Sequence, residues 1–251
     1  MKKVIINPQY EYLRTFIENI PYVFDKEGHE IYHQRNCVKI FTAANGTILN
    51  VKRYKIPHFL NRIIYSSGIR KPKGQRAWEY PQILRSKGIN THEPVAYIEM
   101  RQMGILGDSY FISIQCDYGH TLYEIGDAPA SVYEPMAVAL AYYAAHIHEN
   151  KIMHKDFTPG NILWKKDKNG NYCFSLVDIN RMYFGEVDIQ KGIKNLTRLW
   201  GPKRFIQLLV RKYASIRHFN EDAAEMLAMA ERTRFWKKYQ KKYEIPFQLE
   251  L

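Results

Sequence analysis

The amino-acid sequence predicts an α+β protein with two lobes, an antiparallel sheet carrying one main helix followed by a small, mainly helical lobe. Three observations support this fold class. The first half of the chain holds several short β-prone runs and one helical segment, the character changes after Cys116, and most of the second half has helical periodicity. We therefore predict an N-terminal lobe over residues 1–117 and a C-terminal lobe over residues 118–251.

Two strands and a helix are predicted early in the chain. The runs Val38–Thr42 and Thr47–Tyr54 flank Asn45-Gly46, a dipeptide typical of tight hairpin turns. A helix is predicted over Gln75–Lys87, because the glycine that follows it is a common C-terminal cap.

A second strand pair follows that helix. Pro94–Met100 and Ser109–Cys116 are rich in β-branched and aromatic residues, and they are expected to join through Gly104 and Gly107. The order strand, strand, helix, strand, strand fits an antiparallel sheet that carries one helix.

The C-terminal lobe is predicted to begin with a buried helix over Val132–Glu149, where alanine, leucine and aromatic residues recur at helical spacing. A loop over His154–Asn161 and two short strands, Ile162–Lys165 and Tyr172–Val177, come next. The remainder, from Asp188 to Tyr243, is expected to be helical.

Composition favours a folded, water-soluble protein over a disordered or secreted chain. Of 251 residues, 46% are hydrophobic and 25% charged, which are ordinary values for a globular protein. The polar N-terminus lacks a signal-peptide core, and the cysteines Cys37, Cys116 and Cys173 offer neither a disulfide framework nor a zinc-binding pair. A cytoplasmic protein with reduced thiols is the expectation.

The net charge of +12 favours an anionic partner. Nucleic acid, a phosphorylated glycolipid and a membrane face are the candidates, and charge alone does not rank them. The segment Arg232–Tyr243 mixes cations with aromatics, which suits a helix at a membrane surface, a helix that contacts nucleic acid, or a helix packing its rings on the core.

The strongest chemical signal is a set of polar residues around the loop His154–Asn161. Asp156 and Asn161 lie five residues apart, and Asp178 follows Asn161 by 17 residues at the end of an apolar strand. Phosphoryl transfer needs one carboxylate to accept the proton of the attacking hydroxyl. It also needs an amide oxygen and a second carboxylate to hold Mg²⁺ on the triphosphate.

These residues resemble the catalytic set of the protein-kinase-like fold. The segment from His154 to Asn161 matches the pattern H-x-D-x-x-x-x-N, and Asp178 begins a segment that stands where the fold carries D-F-G. The resemblance implies that ATP and Mg²⁺ bind between the lobes. It assigns Asp156 as the base, with Asn161 and Asp178 as metal ligands, and it implies a structural role for His154.

The same resemblance implies a lysine on the third strand that reaches the α- and β-phosphates, and a helix glutamate that pairs with it. Lys52 ends a β-prone run, and Glu79 follows it by 27 residues on the next predicted helix. Lys39 is a rival for the lysine. The plain alternative is that Lys52 and Glu79 are solvent-facing side chains.

Further segments narrow the resemblance to the lipopolysaccharide kinase family, which phosphorylates Kdo or heptose of the inner core at the cytoplasmic face of the inner membrane. The resemblance covers roughly residues 25–200 and includes four stretches besides the catalytic loop: Arg35-Asn36, Asn45-Gly46 with Lys52-Arg53-Tyr54, Arg70–Ala77 and Gly88–Pro94. It implies a sugar hydroxyl as acceptor and an anionic membrane surface as a candidate partner, with nucleic acid disfavoured.

The sequence also departs from the kinase pattern. No G-x-G-x-x-G precedes Lys52, so another turn, with His33–Asn36 as the candidate, has to cover the phosphates. Asn180 replaces the glycine of D-F-G, and no A-P-E follows, which favours a small or glycolipid acceptor over a protein. Arg181 is expected to pair with an acidic acceptor or a backbone carbonyl.

The sequence thus predicts an ATP-dependent phosphotransferase that acts on an alcohol, with a sugar of the lipopolysaccharide inner core as the favoured acceptor. A kinase for a soluble alcohol, of the aminoglycoside or choline type, is the main alternative. A catalytically silent kinase fold that only binds ligands is the alternative from a different class.

Overall fold

The computed structural model describes residues 1–34, 36–245 and 247–251, which form two compact units, Met1–Asp117 and Tyr118–Leu251. The first unit is built on a six-stranded sheet with strand order β1-β5-β6-β4-β3-β2, and every neighbouring pair is antiparallel. Its strands are β1 (Lys2–Ile6), β2 (His29–His33), β3 (Cys37–Thr42), β4 (Ile48–Tyr54), β5 (Pro94–Gln102) and β6 (Ile105–Ile114).

Helices cover both faces of this sheet. Its helices are α1 (Arg14–Val23), α2 (Phe59–Ser66) and α3 (Lys73–Arg85). The buried side chains of α1, with Ile17 and Ile20 fully enclosed, pack on one face against Leu49 and Val51 of β4. On the opposite face α3 packs through Trp78 against aromatic rings of the sheet. The hydrophobic core of this unit therefore has two layers, one on each side of the sheet.

The predicted hairpins are present, with one difference. Gly46 has φ +85° in the β3–β4 turn, where the Ala43 N–H donates to the Thr47 carbonyl at 2.9 Å. The β5–β6 turn is formed by Met103 and Gly104, both with positive φ, as tight hairpin turns require. Gly107 lies inside β6, so its predicted place in this turn is wrong.

The second unit is mainly helical. Two small sheets, ordered β10-β9-β7 and β11-β8, are antiparallel and stand beside four helices. The strands are β7 (His120–Thr121), β8 (Ile152–His154), β9 (Ile162–Lys166), β10 (Tyr172–Leu176) and β11 (Met182–Phe184), and the helices are α4 (Ala130–Glu149), α5 (Ile189–Leu196), α6 (Lys203–Ile216) and α7 (Glu221–Tyr239). The predicted α+β class, a sheet with its helix followed by helices, is confirmed.

The aromatic, basic segment at the C-terminus is anchored inward. Trp236 is buried and donates from its indole N–H to the Thr197 carbonyl at 3.2 Å. The buried Arg232 donates to the carbonyls of Leu199 and Gly201, and burial lowers the pKa of Arg232 to about 10. Of the three expectations for this segment, the structure favours core packing at these two side chains, while four lysines stay exposed: Lys237, Lys238, Lys241 and Lys242.

Membrane crossing is a separate question from surface binding. Within the residues that the structure describes, no helix combines the length and the apolar character that a membrane crossing requires.

Candidate active site

The predicted catalytic loop of the second unit lies between two short antiparallel strands. β8 ends at His154, which pairs with Met182 at the start of β11. The Lys155 N–H then donates to the Arg181 carbonyl at 3.0 Å. Because the chain returns beside itself here, the residues that follow β8 lie next to those that precede β11.

His154 holds this loop through its buried imidazole. Its Nδ1 accepts the Asp156 N–H at 3.1 Å, and its Nε2 donates to the Val177 carbonyl at 3.1 Å. Burial lowers the pKa of His154, so the ring stays neutral and carries its proton on Nε2. With both nitrogens bonded to backbone groups, His154 fixes the loop and has no nitrogen left for proton transfer.

Asp156 carries its carboxylate at the partly open side of the loop, where the side chain is 27% exposed. Its Oδ2 lies 2.8 Å from Nη1 of Arg181, and the Thr158 N–H donates to its backbone carbonyl at 2.9 Å. The partner seen for Arg181 is thus the carboxylate of the candidate base, and its pairing with an acidic acceptor stays a prediction. Sequence reasoning missed this pair because 25 residues separate its members along the chain.

Asn161 is held so that its amide oxygen is the atom it can present to a cation. Its Nδ2 donates to the Asp156 carbonyl at 2.9 Å and to Thr158 Oγ1 at 3.3 Å. Its backbone carbonyl accepts the Val177 N–H at 3.0 Å, which brings the next residue, Asp178, alongside it. A backbone hydrogen bond therefore joins the loop to the end of the strand immediately before Asp178.

Asp178 has φ +53°, a left-handed conformation that Asp and Asn adopt more readily than most residues. Asn180, which is buried, donates from its Nδ2 to Asp178 Oδ1, so the residue that replaces the D-F-G glycine orients the carboxylate. An amide oxygen from Asn161 and a carboxylate from Asp178 form the all-oxygen donor set that Mg²⁺ prefers. The residues present fit this metal.

A buried chain of hydrogen-bonded polar side chains holds the loop at the backbone of His154. Asn195 donates from Nδ2 to the His154 carbonyl at 2.9 Å. His148 lies on α4 with Nε2 3.3 Å from Asn195 Oδ1 and Nδ1 2.8 Å from the Tyr213 hydroxyl. Its partners come from α5 and α6, which no local pattern connects to α4.

This buried histidine makes stability depend on pH. Burial lowers the pKa of His148 to about 4 in the folded protein, against about 6.5 when unfolded. The unfolded chain therefore binds more protons below about pH 6.5, so the stabilisation is complete above that pH and is lost as pH falls toward 4. We expect His148 to lower the free energy of unfolding by about 2 kcal/mol between pH 7 and pH 5.

Urea unfolding at the two pH values measures this effect, with the difference between them as the readout. His148→Gln should reduce that difference, whereas His146→Gln, which changes an exposed histidine of the same helix, should leave it unchanged. Equal differences in the wild type and in His148→Gln would contradict the assignment. The buried His154 contributes equally to all three proteins and cancels in the comparison.

In the first unit, Lys52 lies in the middle of the sheet, with Val38 of β3 and Phe111 of β6 as its cross-strand partners. Because alternate strand residues share a face, it points to the side of Tyr54, the side on which α3 packs. The rival Lys39 is committed elsewhere, since its Nζ donates to the carbonyls of Phe24 at 2.7 Å and Glu27 at 3.1 Å. Lys52 therefore remains the candidate.

Glu79 lies on α3, as predicted from the sequence. Its carboxylate contacts Lys71 Nζ at 2.7 Å and Gln75 Nε2 at 2.9 Å. Both oxygens are thus engaged by neighbours near the start of α3, and pairing of Glu79 with Lys52 stays a prediction.

The predicted phosphate-covering turn lies at the tip of the β2–β3 hairpin. Asn36 accepts the Lys55 N–H on its Oδ1 at 3.3 Å and the Gln34 N–H on its carbonyl at 3.2 Å. Arg35, part of the predicted turn, lies outside the described residues. The turn thus joins two antiparallel strands ahead of the lysine strand, without a glycine.

Comparison with solved structures identifies the class of this fold. WaaP in complex with acyl carrier protein is similar, with a TM-score of 0.65 and 15% identity over 96% of this chain and 100% of that chain. The ternary complex of streptomycin, ATP and APH(2")-IIa is also similar, with a TM-score of 0.54 and 14% identity over 97% of this chain and 93% of that one. At such low identities the likeness establishes the fold, which is the predicted two-lobed protein-kinase-like fold.

The family is established by sequence. The profile of the lipopolysaccharide kinase (Kdo/WaaP) family matches residues 38–204, about two thirds of the chain. The chain therefore belongs to the lipopolysaccharide kinase family, and it is a kinase of lipopolysaccharide synthesis. No curated protein sequence matches it.

Proposed function

We propose that this kinase transfers the γ-phosphate of ATP to a sugar hydroxyl of the lipopolysaccharide inner core, with Asp156 as the base. The observation that carries the proposal is the set of backbone contacts that link Asp156, Asn161 and the residue before Asp178. These are the β8–β11 pairing, the Asn161 amide on the Asp156 carbonyl and the Val177 N–H on the Asn161 carbonyl. Family membership supplies the acceptor class.

Each predicted site residue takes one role in this proposal. Lys52 contacts the α- and β-phosphates of ATP. Glu79 orients that lysine after the Glu79 carboxylate leaves its present partners, Lys71 and Gln75. Asn161 and Asp178 hold Mg²⁺, which when bound neutralises charge on the triphosphate. The region over residues 1–117 serves the nucleotide phosphates, and the region over residues 118–251 supplies the base, the metal ligands and the acceptor site.

Asp156 orients the acceptor hydroxyl and takes its proton. Arg181 engages Oδ2 of this carboxylate at 2.8 Å, so Oδ1 is the oxygen that receives the proton. Holding the carboxylate in one orientation before the acceptor arrives reduces the entropy lost on reaching the reactive geometry. The loop itself is fixed by His154, so the base does not need to reorganise during transfer.

An anionic membrane surface is proposed as the place of action, at the cytoplasmic face of the inner membrane. The net charge of +12 and the four exposed lysines after Trp236 favour contact with anionic headgroups. Arg232 and Trp236 are hydrogen-bonded inside the core. The proposed membrane contact therefore depends on the charges of the exposed lysines and not on these two side chains.

The acceptor is tested by incubating the purified protein with ATP and Mg²⁺ and three acceptor classes: de-phosphorylated lipopolysaccharide core, soluble alcohols including aminoglycosides, and a generic protein. We expect phosphate to appear on the core sugar. Transfer to soluble alcohols alone would support the aminoglycoside-type alternative, to which the APH(2")-IIa likeness in fold gives some ground. Nucleotide binding without transfer to any acceptor would indicate a silent kinase fold.

A further inference from the structure

The β2–β3 hairpin of the first unit carries three side chains whose chemistry the kinase reaction does not use. We propose that Glu30, His33 and Cys37 form a binding site for a zinc-type divalent cation. The site would join the end of β2 to the start of β3. Sequence reasoning excluded a zinc pair of cysteines, and this site needs only one.

The three potential ligand atoms already lie together. Oε2 of Glu30 is 3.3 Å from the Cys37 Sγ and 3.2 Å from the His33 Nδ1, and all three atoms lie within 4.8 Å of one another. Tetrahedral Zn²⁺, with bonds of about 2.0–2.3 Å to sulfur, nitrogen and oxygen, holds such atoms about 3.4–3.6 Å apart. The two distances from the Glu30 oxygen therefore lie within a few tenths of an ångström of those in a tetrahedral zinc site.

A β-bulge is what brings Glu30 into this group. His33 and Cys37 are cross-strand partners, whereas Glu30 pairs with Lys39 and the register shifts between Glu30 and Tyr32. In a regular strand, residues 30 and 33 would face opposite sides of the sheet. The extra residue, Ile31, turns Glu30 to the same face as His33 and Cys37, a use of bulges that re-aims one side chain.

One side of the group is open to solvent, which leaves room for a fourth ligand. Cys37 is 5% exposed, whereas the side chains of Glu30 and His33 are 43% and 59% exposed, so the sulfur forms the floor and the other ligands the rim. Without metal, the Glu30 carboxylate accepts from the Cys37 thiol, and its Oε2 lies 3.2 Å from Nδ1 of His33. On binding, the cation replaces the thiol proton, which passes to water, and a water molecule completes the tetrahedron.

Such an ion would restrain the hairpin tip. His33 ends β2 and Cys37 begins β3, so a metal bridging them would tie the two strands together next to the hairpin turn. If this turn covers the ATP phosphates, as the proposed function holds, the ion would order it before the nucleotide binds. This regulatory consequence rests on the proposed function, whereas the metal site does not.

Cobalt provides the direct test, because Co²⁺ substitutes at zinc sites and shows a sulfur-to-metal charge-transfer band when a thiolate binds it. In this test the reduced, full-length protein is titrated with Co²⁺, without ATP or acceptor, and Zn²⁺ is then added to displace the Co²⁺. The expected result is a charge-transfer band that saturates at one equivalent and disappears on adding Zn²⁺. No such band would overturn the proposal, whatever the kinase activity.

Variants locate the ligands. Cys37→Ser should abolish the band, and His33→Gln or Glu30→Gln, both at exposed side chains, should weaken Co²⁺ binding by at least about ten-fold. Cys173→Ser should leave the band unchanged. So should His29→Gln, which changes a histidine of the same strand whose side chain faces the other side of the sheet. A band that persists in both Cys37→Ser and His33→Gln would place the metal elsewhere and overturn the assignment.

Discussion

Asp156→Asn is expected to lower kcat for phosphate transfer by roughly 10²–10⁴-fold, the range for loss of a positioned general base. The amide cannot take the proton of the acceptor hydroxyl, yet it has the same shape. The loop should stay folded, because the His154 ring and the Asn161 amide bind the backbone at residue 156 and not its side chain. The measurements are kcat with the core acceptor, and ATP affinity by titration calorimetry, which should be essentially unchanged.

Asp127→Asn is the matched control, because it makes the same charge change at an exposed aspartate of the second unit. Its kcat should equal that of the wild type. If Asp156→Asn transferred phosphate at the wild-type rate, Asp156 would not be the base. If it lost ATP affinity as well, the residue would act on the nucleotide instead of the acceptor.

Asp178→Asn is expected to lower kcat by at least about 100-fold, because even residues that only support metal ligands contribute about that much. The substitution removes the carboxylate charge that attracts Mg²⁺. Asn adopts the left-handed conformation at φ +53° as readily as Asp, so the backbone at this position should be kept. The distinctive measurement is the Mg²⁺ dependence of ATP binding, in which half-saturation should shift to higher Mg²⁺ concentration.

Asp188→Asn controls for this change. Asp188 caps the start of α5 by accepting the Lys191 N–H at 2.8 Å, and Asn serves that position equally well. It should keep wild-type Mg²⁺ dependence, and urea unfolding should show all three proteins folded. An Asp178→Asn protein with unaltered Mg²⁺ dependence would remove Asp178 from the metal site.

Fold prediction succeeded where the signal is local. The β3–β4 and β5–β6 hairpins were predicted because β-prone runs and turn glycines stand next to each other in the chain. The strands β1 and β2 were not predicted. All five residues of β2 are exposed and its bulge breaks the alternation, so only its pairing with β3 makes it a strand. Likewise, β1 is a strand through its pairing with β5, whose paired residues lie far along the chain, as Lys2 with Met100.

Site prediction followed the same division. Asp156, Asn161 and Asp178 were found from their spacing, which is a property of one short stretch. The pairing of Arg181 with the carboxylate of the proposed base was not predicted, because it depends on the β8–β11 pairing, which is a tertiary contact. For Glu79 the predicted partner was distant, whereas the observed partners, Lys71 and Gln75, lie within eight residues.

By itself, the sequence determined that this protein is an α+β chain. It also determined the predicted catalytic loop, because the candidate base and metal ligands follow one another at fixed spacings in the sequence. Tertiary structure alone decided which side chains orient those residues: Arg181 beside Asp156, Asn180 on Asp178, and the buried chain from Asn195 through His148 to Tyr213. The physical reason is the distance over which each kind of information acts. Spacing and propensity act between near neighbours, whereas hydrogen bonds and ion pairs depend on distance in space, which only the folded chain defines.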